Sequence, residues 1–171
     1  SRYGREDDWR HCWHVYNTTD IPSEKVLMLQ ALAQTREPWL MQQYLEYTLD
    51  TSKIRSQDVR TVLREVASNP GGRLPAWRMV REHWNKIVEL FGSGSFTIGA
   101  IIKAVTSPFT SAFDLQEVSH FFNSVSVGSG QRSLAQATET IRLNIQWHEY
   151  NLQTVSFWLH KKLKHLEDHS D

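Results

Sequence analysis

The chain has 171 residues, enough for one domain, and its nineteen basic and nineteen acidic side chains cancel. A net charge near zero gives no reason to expect a nucleic acid or an anionic membrane as a partner. Cys12 is the only cysteine, which excludes an intrachain disulfide and a cysteine-based zinc cluster, and no apolar run is long enough to span a bilayer.

The spacing of apolar residues predicts helices along the whole chain. Turn-forming residues recur roughly every fifteen to twenty residues, and between them apolar residues repeat with the period of an α-helix. The stripes are Leu40, Tyr44 and Tyr47; Val59, Val62, Leu63 and Val66; Leu115, Val118, Phe122 and Val125; Ile141 and Ile145; and, in a last helix, Leu152, Val155, Leu159, Leu163 and Leu166. Segment 96–105 is rich in β-branched residues, but its spacing fits a helix at least as well as a strand.

Segment 69–92 combines a turn with an aromatic and basic helix. One proline and two glycines predict the turn, and Pro75 suits the first position of the helix that follows. Charged residues of alternating sign occupy one side of that helix, and the other side is a continuous stripe of Trp77, Val80, Trp84, Ile87, Val88 and Phe91. A nucleic-acid surface would need the aromatic and basic groups on the same face. We therefore predict a core helix whose tryptophans point inward.

Short connections between the predicted helices make neighbouring helices antiparallel. The sequence thus predicts an all-α fold of about nine short helices, with residues 1–171 forming a single helical domain. A HEAT/armadillo-like α-solenoid or an irregular bundle is the expected architecture. The first residues contain no hydrophobic targeting core, so we expect them to come from the interior of a longer polypeptide.

Residues 148–152 resemble part of a zinc-peptidase motif. His148 and Glu149 begin like H-E-x-x-H, but Leu152 stands where the second zinc-binding histidine is needed. We therefore expect His148 and Glu149 to be surface residues near a helix end.

Other candidate sites are weaker. His11 and His14 would share a helical face beside Cys12, but the sequence fixes no further metal ligand near them. Two glycine–serine segments lack the lysine of a phosphate-binding loop and are predicted to be turns. The sequence therefore predicts no catalytic residue and no metal ligand. Asn17 begins the one N-x-[ST] triplet and is a candidate for glycosylation.

Three sequence blocks carry a resemblance to a known family. They are IRSQD at residues 54–58, NPGGRLPAW followed by HWNKI within residues 69–87, and ETIRLNIQW at residues 139–147. In order and spacing, these blocks resemble the C-terminal helical domain of aminopeptidase N-like zinc aminopeptidases, including the C-terminal-like domain of endoplasmic reticulum aminopeptidases. The resemblance covers nearly the whole chain.

The resemblance implies a C-terminal part of a multidomain zinc metallopeptidase that removes N-terminal residues from peptides. The domain would be a HEAT-like superhelix that encloses the substrate chamber and gates access to it. The zinc ligands and the general base belong to a thermolysin-like catalytic domain of the same polypeptide, so this fragment itself would hold no catalytic group and no cofactor. Peptide substrates and the catalytic domain are the implied partners, and dimer contacts in several relatives come from this domain.

The resemblance also implies roles for particular residues. The helix equivalent to residues 96–106 approaches the catalytic domain, so we expect Thr97 and Ile101, one turn apart, to face the chamber. Because Ile101 is apolar, this part of the wall would offer no salt bridge to an acidic substrate. The family is usually extracytoplasmic, with a membrane anchor elsewhere in the parent or retention in the secretory pathway. This setting favours glycosylation of Asn17.

A second hypothesis from a different class is a free-standing α-solenoid that binds other proteins. That hypothesis predicts a gene product that begins and ends with this chain, whereas the first predicts H-E-x-x-H several hundred residues upstream. As a separated domain, the chain is expected to expose an apolar patch and to self-associate.

Overall fold

A computed structural model describes residues 4–92 and 97–167, with side chains through residue 164. Within these ranges the chain forms α-helices and one 3₁₀ turn and contains no strand, which confirms the all-α prediction for the described residues. The helices are α1 (Glu6–Thr18), α2 (Pro22–Ala33), α3 (Pro38–Tyr47), α4 (Ser56–Ser68), α5 (Arg73–Glu82), α6 (Trp84–Phe91), α7 (Thr97–Thr106), α8 (Ala112–Ser124) and α9 (Gln131–Glu167), with the 3₁₀ turn at Gly128–Gly130.

Local sequence signals set the starts of several helices. Pro22 and Pro38 are the first residues of α2 and α3, where a missing N–H costs nothing. Before α8, the Ser111 Oγ accepts the Asp114 N–H at 3.1 Å and the Asp114 carboxylate accepts the Ser111 N–H at 3.1 Å. This reciprocal pair satisfies two donors that have no partner within the helix.

The single helix predicted to start at Pro75 is in fact two helices. Helix α5 begins at Arg73, so Pro75 is its third residue. It ends at Glu82. The next residue, His83, has a φ of −110° and a ψ of 21°, which lie outside the helical region, and α6 starts at Trp84. The break divides a stripe that the sequence presents as continuous.

The tryptophans on either side of the break at His83 pack against the same two rings. Trp77 and Trp84 both contact Phe121, with ring centroids 5.6 and 6.0 Å apart respectively, and both contact Phe122. The inward tryptophans are confirmed, since Trp77 is 2% and Trp84 is 3% exposed.

Helix α9 is longer than the sequence predicted. The stripe at Ile141 and Ile145 and the stripe after it were expected in separate helices, but both lie in one helix of 37 residues. No glycine or proline occurs between Gln131 and Glu167, so no residue in this segment favours a helix end. The prediction of short helices is therefore wrong for α9.

The helices pack in two layers. In one layer α2, α4, α7 and α9 pack side by side in that order. In the other, α1 packs on α2, α3 and α5 pack on α4, and α8 packs on α9. The largest fully buried side chains of the core are Trp77, Tyr44, Phe109, Leu29, Leu32, Leu40, Leu45, Ile54, Leu63, Met79, Ile87 and Ile101. The HEAT-like curvature expected from the resemblance stays a prediction.

Two asparagine side chains form hydrogen bonds with backbone carbonyls at the ends of neighbouring helices. The Asn69 Nδ2 donates to the carbonyls of Ala33 and Thr35, each at 3.0 Å. The Asn144 Nδ2 donates to the carbonyls of Ser107 and Phe109 at 3.0 and 2.9 Å. Carbonyls at or just beyond a helix C-terminus lack partners within the helix, so these amides join neighbouring helices through otherwise unpaired groups.

Candidate functional site

The histidine-containing segments do not assemble a metal site. In the described part of the chain, no group of three or more His, Cys, Asp or Glu residues could hold a metal ion. His11 and His14 are exposed on α1, and Cys12 is half-buried. The described side chains therefore provide no set of ligands for zinc, and we assign no chemical step to a metal in this chain.

His148 and Glu149 lie in the middle of α9 and not near a helix end, contrary to the sequence-based expectation. Their place on the surface is as expected, with Glu149 exposed and His148 half-buried. Leu152 is 49% exposed one turn further on, and it offers no atom that could bind a metal.

The IRSQD block forms a structural bridge. Asp58 is only 8% exposed, its carboxylate pairs with the Arg55 Nε at 2.8 Å, and it accepts the Tyr16 hydroxyl at 3.5 Å. Burial, together with the negative charge of Asp58, raises the pKa of Tyr16, and the hydrogen bond to Asp58 raises the pKa of Arg55. The cluster thus joins α1 to the start of α4.

A second polar bridge joins α5 to α8. The Glu117 carboxylate accepts the Trp77 Nε1–H at 3.0 Å and pairs with Arg81. The guanidinium of Arg81 also lies 5.8 Å from the centre of the Trp77 ring. These groups satisfy one another, so they stabilise packing and leave no reactive group free.

Thr97 and Ile101, the two residues expected to face the chamber, differ in how far they are buried. Ile101 has no exposed surface and packs inside the domain, while Thr97 is half-buried at the start of α7. The accessible side of α7 is formed by Ala100 and Lys103 and continues into Ser107 just beyond the helix end, opposite the buried isoleucines. Helical periodicity could have indicated this, because those three residues repeat with a spacing of three and four. Whether α7 faces a chamber stays a prediction.

The accessible face of α7 belongs to a groove between α4, α7 and α9. The groove has a volume of about 410 Å³ and is lined by Arg60, Arg64, Ala100, Lys103, Ala104, Ser107 and Ser133. Among the described residues, three cationic side chains thus line this surface and no acidic side chain does. The expectation that this part of the wall offers no salt bridge to an acidic substrate rested on Ile101, which is buried, and it stays a prediction.

The second half of α9 carries apolar side chains on two opposite sides. At about 100° per residue, one set continues the line of the buried Ile141 and the other lies across the helix axis. We name the first the aliphatic stripe (Leu152, Val155, Leu159 and Leu163) and the second the aromatic stripe (Trp147, Tyr150, Phe157 and Trp158). Their exposed fractions range from 39% at Val155 to 82% at Tyr150. A helix that is apolar on opposite sides is usually covered on both.

Asn17 is accessible in the last turn of α1. It is exposed, and its amide donates to the Trp13 carbonyl at 2.8 Å within the same helix. Glycosylation at this site stays a prediction. None of the described helices combines the length and the hydropathy that a membrane crossing needs.

The described residues thus define an all-helical module that offers packed surfaces and not an assembled set of reactive groups. Its sequence matches the family model described as "ERAP1-like C-terminal domain" over residues 1–143. The chain belongs to this family, the C-terminal domain of aminopeptidase N-like enzymes.

Characterised relatives agree with this assignment. The chain is 37% identical over 158 residues to aminopeptidase N of Canis lupus familiaris and 35% identical over 158 residues to aminopeptidase Ey of Gallus gallus. It is 32% identical over 157 residues to aminopeptidase A of Gloydius brevicauda. Each match covers 91% of this chain but only 16% of the relative. The chain therefore spans a small part of the length of these relatives.

Proposed function

We propose that residues 1–171 are one helical domain of a larger zinc aminopeptidase that removes N-terminal residues from peptides. The domain encloses the substrate chamber and gates access to it, while catalysis takes place in a separate thermolysin-like domain of the same polypeptide. The observation that carries the proposal is the match of 91% of this chain to proteins named aminopeptidase, of which it covers only 16%.

The exposed apolar surface of α9 supports the proposal that another part of the parent polypeptide packs against this domain. The aliphatic stripe extends the core-facing line of Ile141 beyond the point where other helices cover it, leaving Leu152 49% and Leu159 48% exposed. Covering such a stripe is favourable by about 25 cal/mol per Å² of apolar surface removed from water. We assign the aliphatic stripe to the contact with the rest of the parent polypeptide.

The two-layer packing of the helices supports the proposal that this domain forms a wall of the substrate chamber. Side-by-side rows such as α2, α4, α7 and α9 build extended surfaces in helical solenoids, and a HEAT-like curvature would turn one of them toward a chamber. Within this arrangement Thr97 and its neighbours on α7 face the substrate, and Ile101 supports them from inside. Peptides reach the zinc through this wall, and the zinc itself is bound by the other domain.

Several further properties follow from the proposed parent. The protein is extracytoplasmic, held by an anchor in another part of the polypeptide or retained in the secretory pathway, and Asn17 carries a glycan. A homodimer would use the surface that this domain leaves exposed. A nucleic acid is not a partner, because the nineteen basic and nineteen acidic side chains balance.

The proposal is tested by reconstitution in trans. The parent polypeptide lacking this domain is mixed with the purified chain, and binding is measured together with release of N-terminal residues from a peptide. We expect the chain to bind and to change the activity, and the Val155→Asp variant on the aliphatic stripe to bind about tenfold or more weakly, since it places a charge against an apolar surface.

Gln153→Asp is the matched control, because it adds the same carboxylate at an exposed position between the stripes. Equal binding of the two variants would refute the assignment of the aliphatic stripe. A gene that encodes only this chain, with no catalytic domain, would refute the proposed function and favour the free-standing interaction module.

A further inference from the structure

The groove between α4, α7 and α9 gathers three cations, of which one has an anionic partner among the described residues. Arg60 and Arg64 lie one turn apart on α4, and Lys103 lines the groove from α7. Arg64 pairs with Glu65 at 2.7 Å, and the Lys103 Nζ donates to the Gln136 side-chain carbonyl. Arg60 has no hydrogen bond or ion pair with any described residue. The groove therefore holds more positive charge than its own side chains neutralise.

The shape of the groove depends on small residues. Ala100 and Ala104 form an apolar floor, and Ser107 and Ser133 place hydroxyl groups along it. Helix α9 can approach α7 because Gly99 has no side chain: a Cβ there would lie 2.2 Å from the Ser133 Oγ. The seven-residue step from Ala100 to Ser107 is about 10 Å long, which matches roughly three residues of an extended peptide.

We propose that this groove binds the carboxylate side chains of an acidic peptide. The inference deepens the proposed function, on which it rests for the peptide nature of the ligand. An arginine guanidinium matches the planar geometry of a carboxylate and can donate two parallel hydrogen bonds to it. The alanine floor suits the methylene groups of a glutamate stem. The Ser133 hydroxyl can donate to a peptide carbonyl, and the Ser107 Oγ, which donates to the Ala104 carbonyl at 3.4 Å, can accept a peptide N–H.

A polymeric phosphate fits the groove less well than an acidic peptide. Binding to a nucleic-acid backbone draws on a track of many basic groups that follows the strand, with salt dependence in proportion to the phosphates contacted. Here three cations line a groove of about 410 Å³, and the chain as a whole has no net charge. The site thus favours one or two carboxylates over an extended polyanion.

Binding is measured on the whole chain by calorimetry with two short peptides, one of alternating alanine and glutamate and one with glutamine in place of glutamate. Both are acetylated and amidated, so the glutamate side chains are the only anions. We expect Kd for the glutamate peptide to be about tenfold lower than for the glutamine peptide. The difference should shrink between about 50 and 300 mM salt because exposed ion pairs are screened.

The variants Arg60→Gln and Lys103→Gln should each weaken binding of the glutamate peptide about three- to fivefold. Arg78→Gln is the control, because it removes the same charge from an exposed position on α5, which is in the other layer. All three side chains are exposed, so thermal unfolding should be nearly unchanged.

The proposal is overturned if the two peptides bind equally, or if Arg78→Gln weakens binding as much as Arg60→Gln. It is also overturned if a single-stranded oligonucleotide binds through Arg60 and Lys103 while the glutamate peptide does not. The measurement involves no catalysis. A parent without peptidase activity would therefore refute the proposed function but not the binding site in the groove. If the parent is active and the chain shows no preference for the glutamate peptide, only the binding site in the groove is refuted.

Discussion

The approach of α7 to α9 at Gly99 makes a sharp prediction for Gly99→Ala. The added Cβ would lie 2.2 Å from the Ser133 Oγ and 2.6 Å from the Ser133 Cβ. Rotation of the serine side chain can move its oxygen but not its Cβ, so the two helices must separate. The substitution therefore opposes the packing that forms the floor and one side of the basic groove.

Two effects of opposite sign decide the magnitude. Alanine is favoured over glycine in a helix by at most about 1 kcal/mol, and less in the first turn, where Gly99 lies. Overpacking a close contact costs about 1–3 kcal/mol, and a clash with the Ser133 Cβ belongs at the upper end of that range. We expect a net loss of about 1–2 kcal/mol in the free energy of unfolding.

Urea unfolding followed by tryptophan fluorescence measures this loss. The control is Gly71→Ala, because a Cβ there would meet only the Asn69 Oδ1 at 3.7 Å, and the change should be neutral or stabilise by up to about 1 kcal/mol. In the Gly99→Ala background, Ser133→Gly should cost at least about 1 kcal/mol less than in the wild type, because it relieves the clash. The reasoning is refuted if Gly99→Ala is as stable as the wild type.

The remaining predictions concern packing, pH and association. Asn144→Ala removes the donor to two carbonyls, so the free energy of unfolding measured in urea should fall by about 1 kcal/mol. The control Asn151→Ala loses only a bond within its own helix and should change this free energy by no more than about 0.5 kcal/mol. Equal losses would contradict the bridging role of Asn144. Burial and the Asp58 charge raise the pKa of Tyr16 above 10.0, so the folded state favours the neutral phenol. The contribution of the neutral Tyr16 phenol to the free energy of unfolding is fully present below pH 10 and is lost as the pH rises through the folded pKa. The Tyr16→Phe variant should therefore show a shallower decline in this free energy at alkaline pH. A decline identical to that of the wild type would contradict this prediction. Sedimentation should show self-association of the wild-type chain, reduced by Phe157→Ser because that residue is 75% exposed on the aromatic stripe; a wild-type monomer at high concentration would contradict this.

Helical periodicity was sufficient to predict the fold class because each helix buries one stripe. Val59, Val62, Leu63 and Val66 are at most 1% exposed, as their spacing requires. The interruption at His83 was not predictable in the same way. The tryptophans on either side of it, Trp77 and Trp84, both contact Phe121, and that contact joins residues about forty positions apart in sequence. Local spacing contains no information about such a contact.

The surface was harder to predict than the core. The resemblance implies that Ile101 faces the chamber. An apolar residue in a helix with several isoleucines is more often buried, and the Ile101 side chain is fully buried. Lys103 could have been assigned to the outer face from periodicity alone. Its proximity to Arg60 and Arg64 could not, because it depends on α4 and α7 packing side by side.

The central claim is that these helices supply surface while the reactive metal lies in another domain of the parent. The most direct test compares the purified chain with the full parent polypeptide in one assay, the release of an N-terminal alanine from an anilide in the presence of zinc. We predict chelator-sensitive turnover by the parent and none above background by the chain. Zinc-dependent release by the chain alone, or an intact parent that releases nothing, would contradict the account.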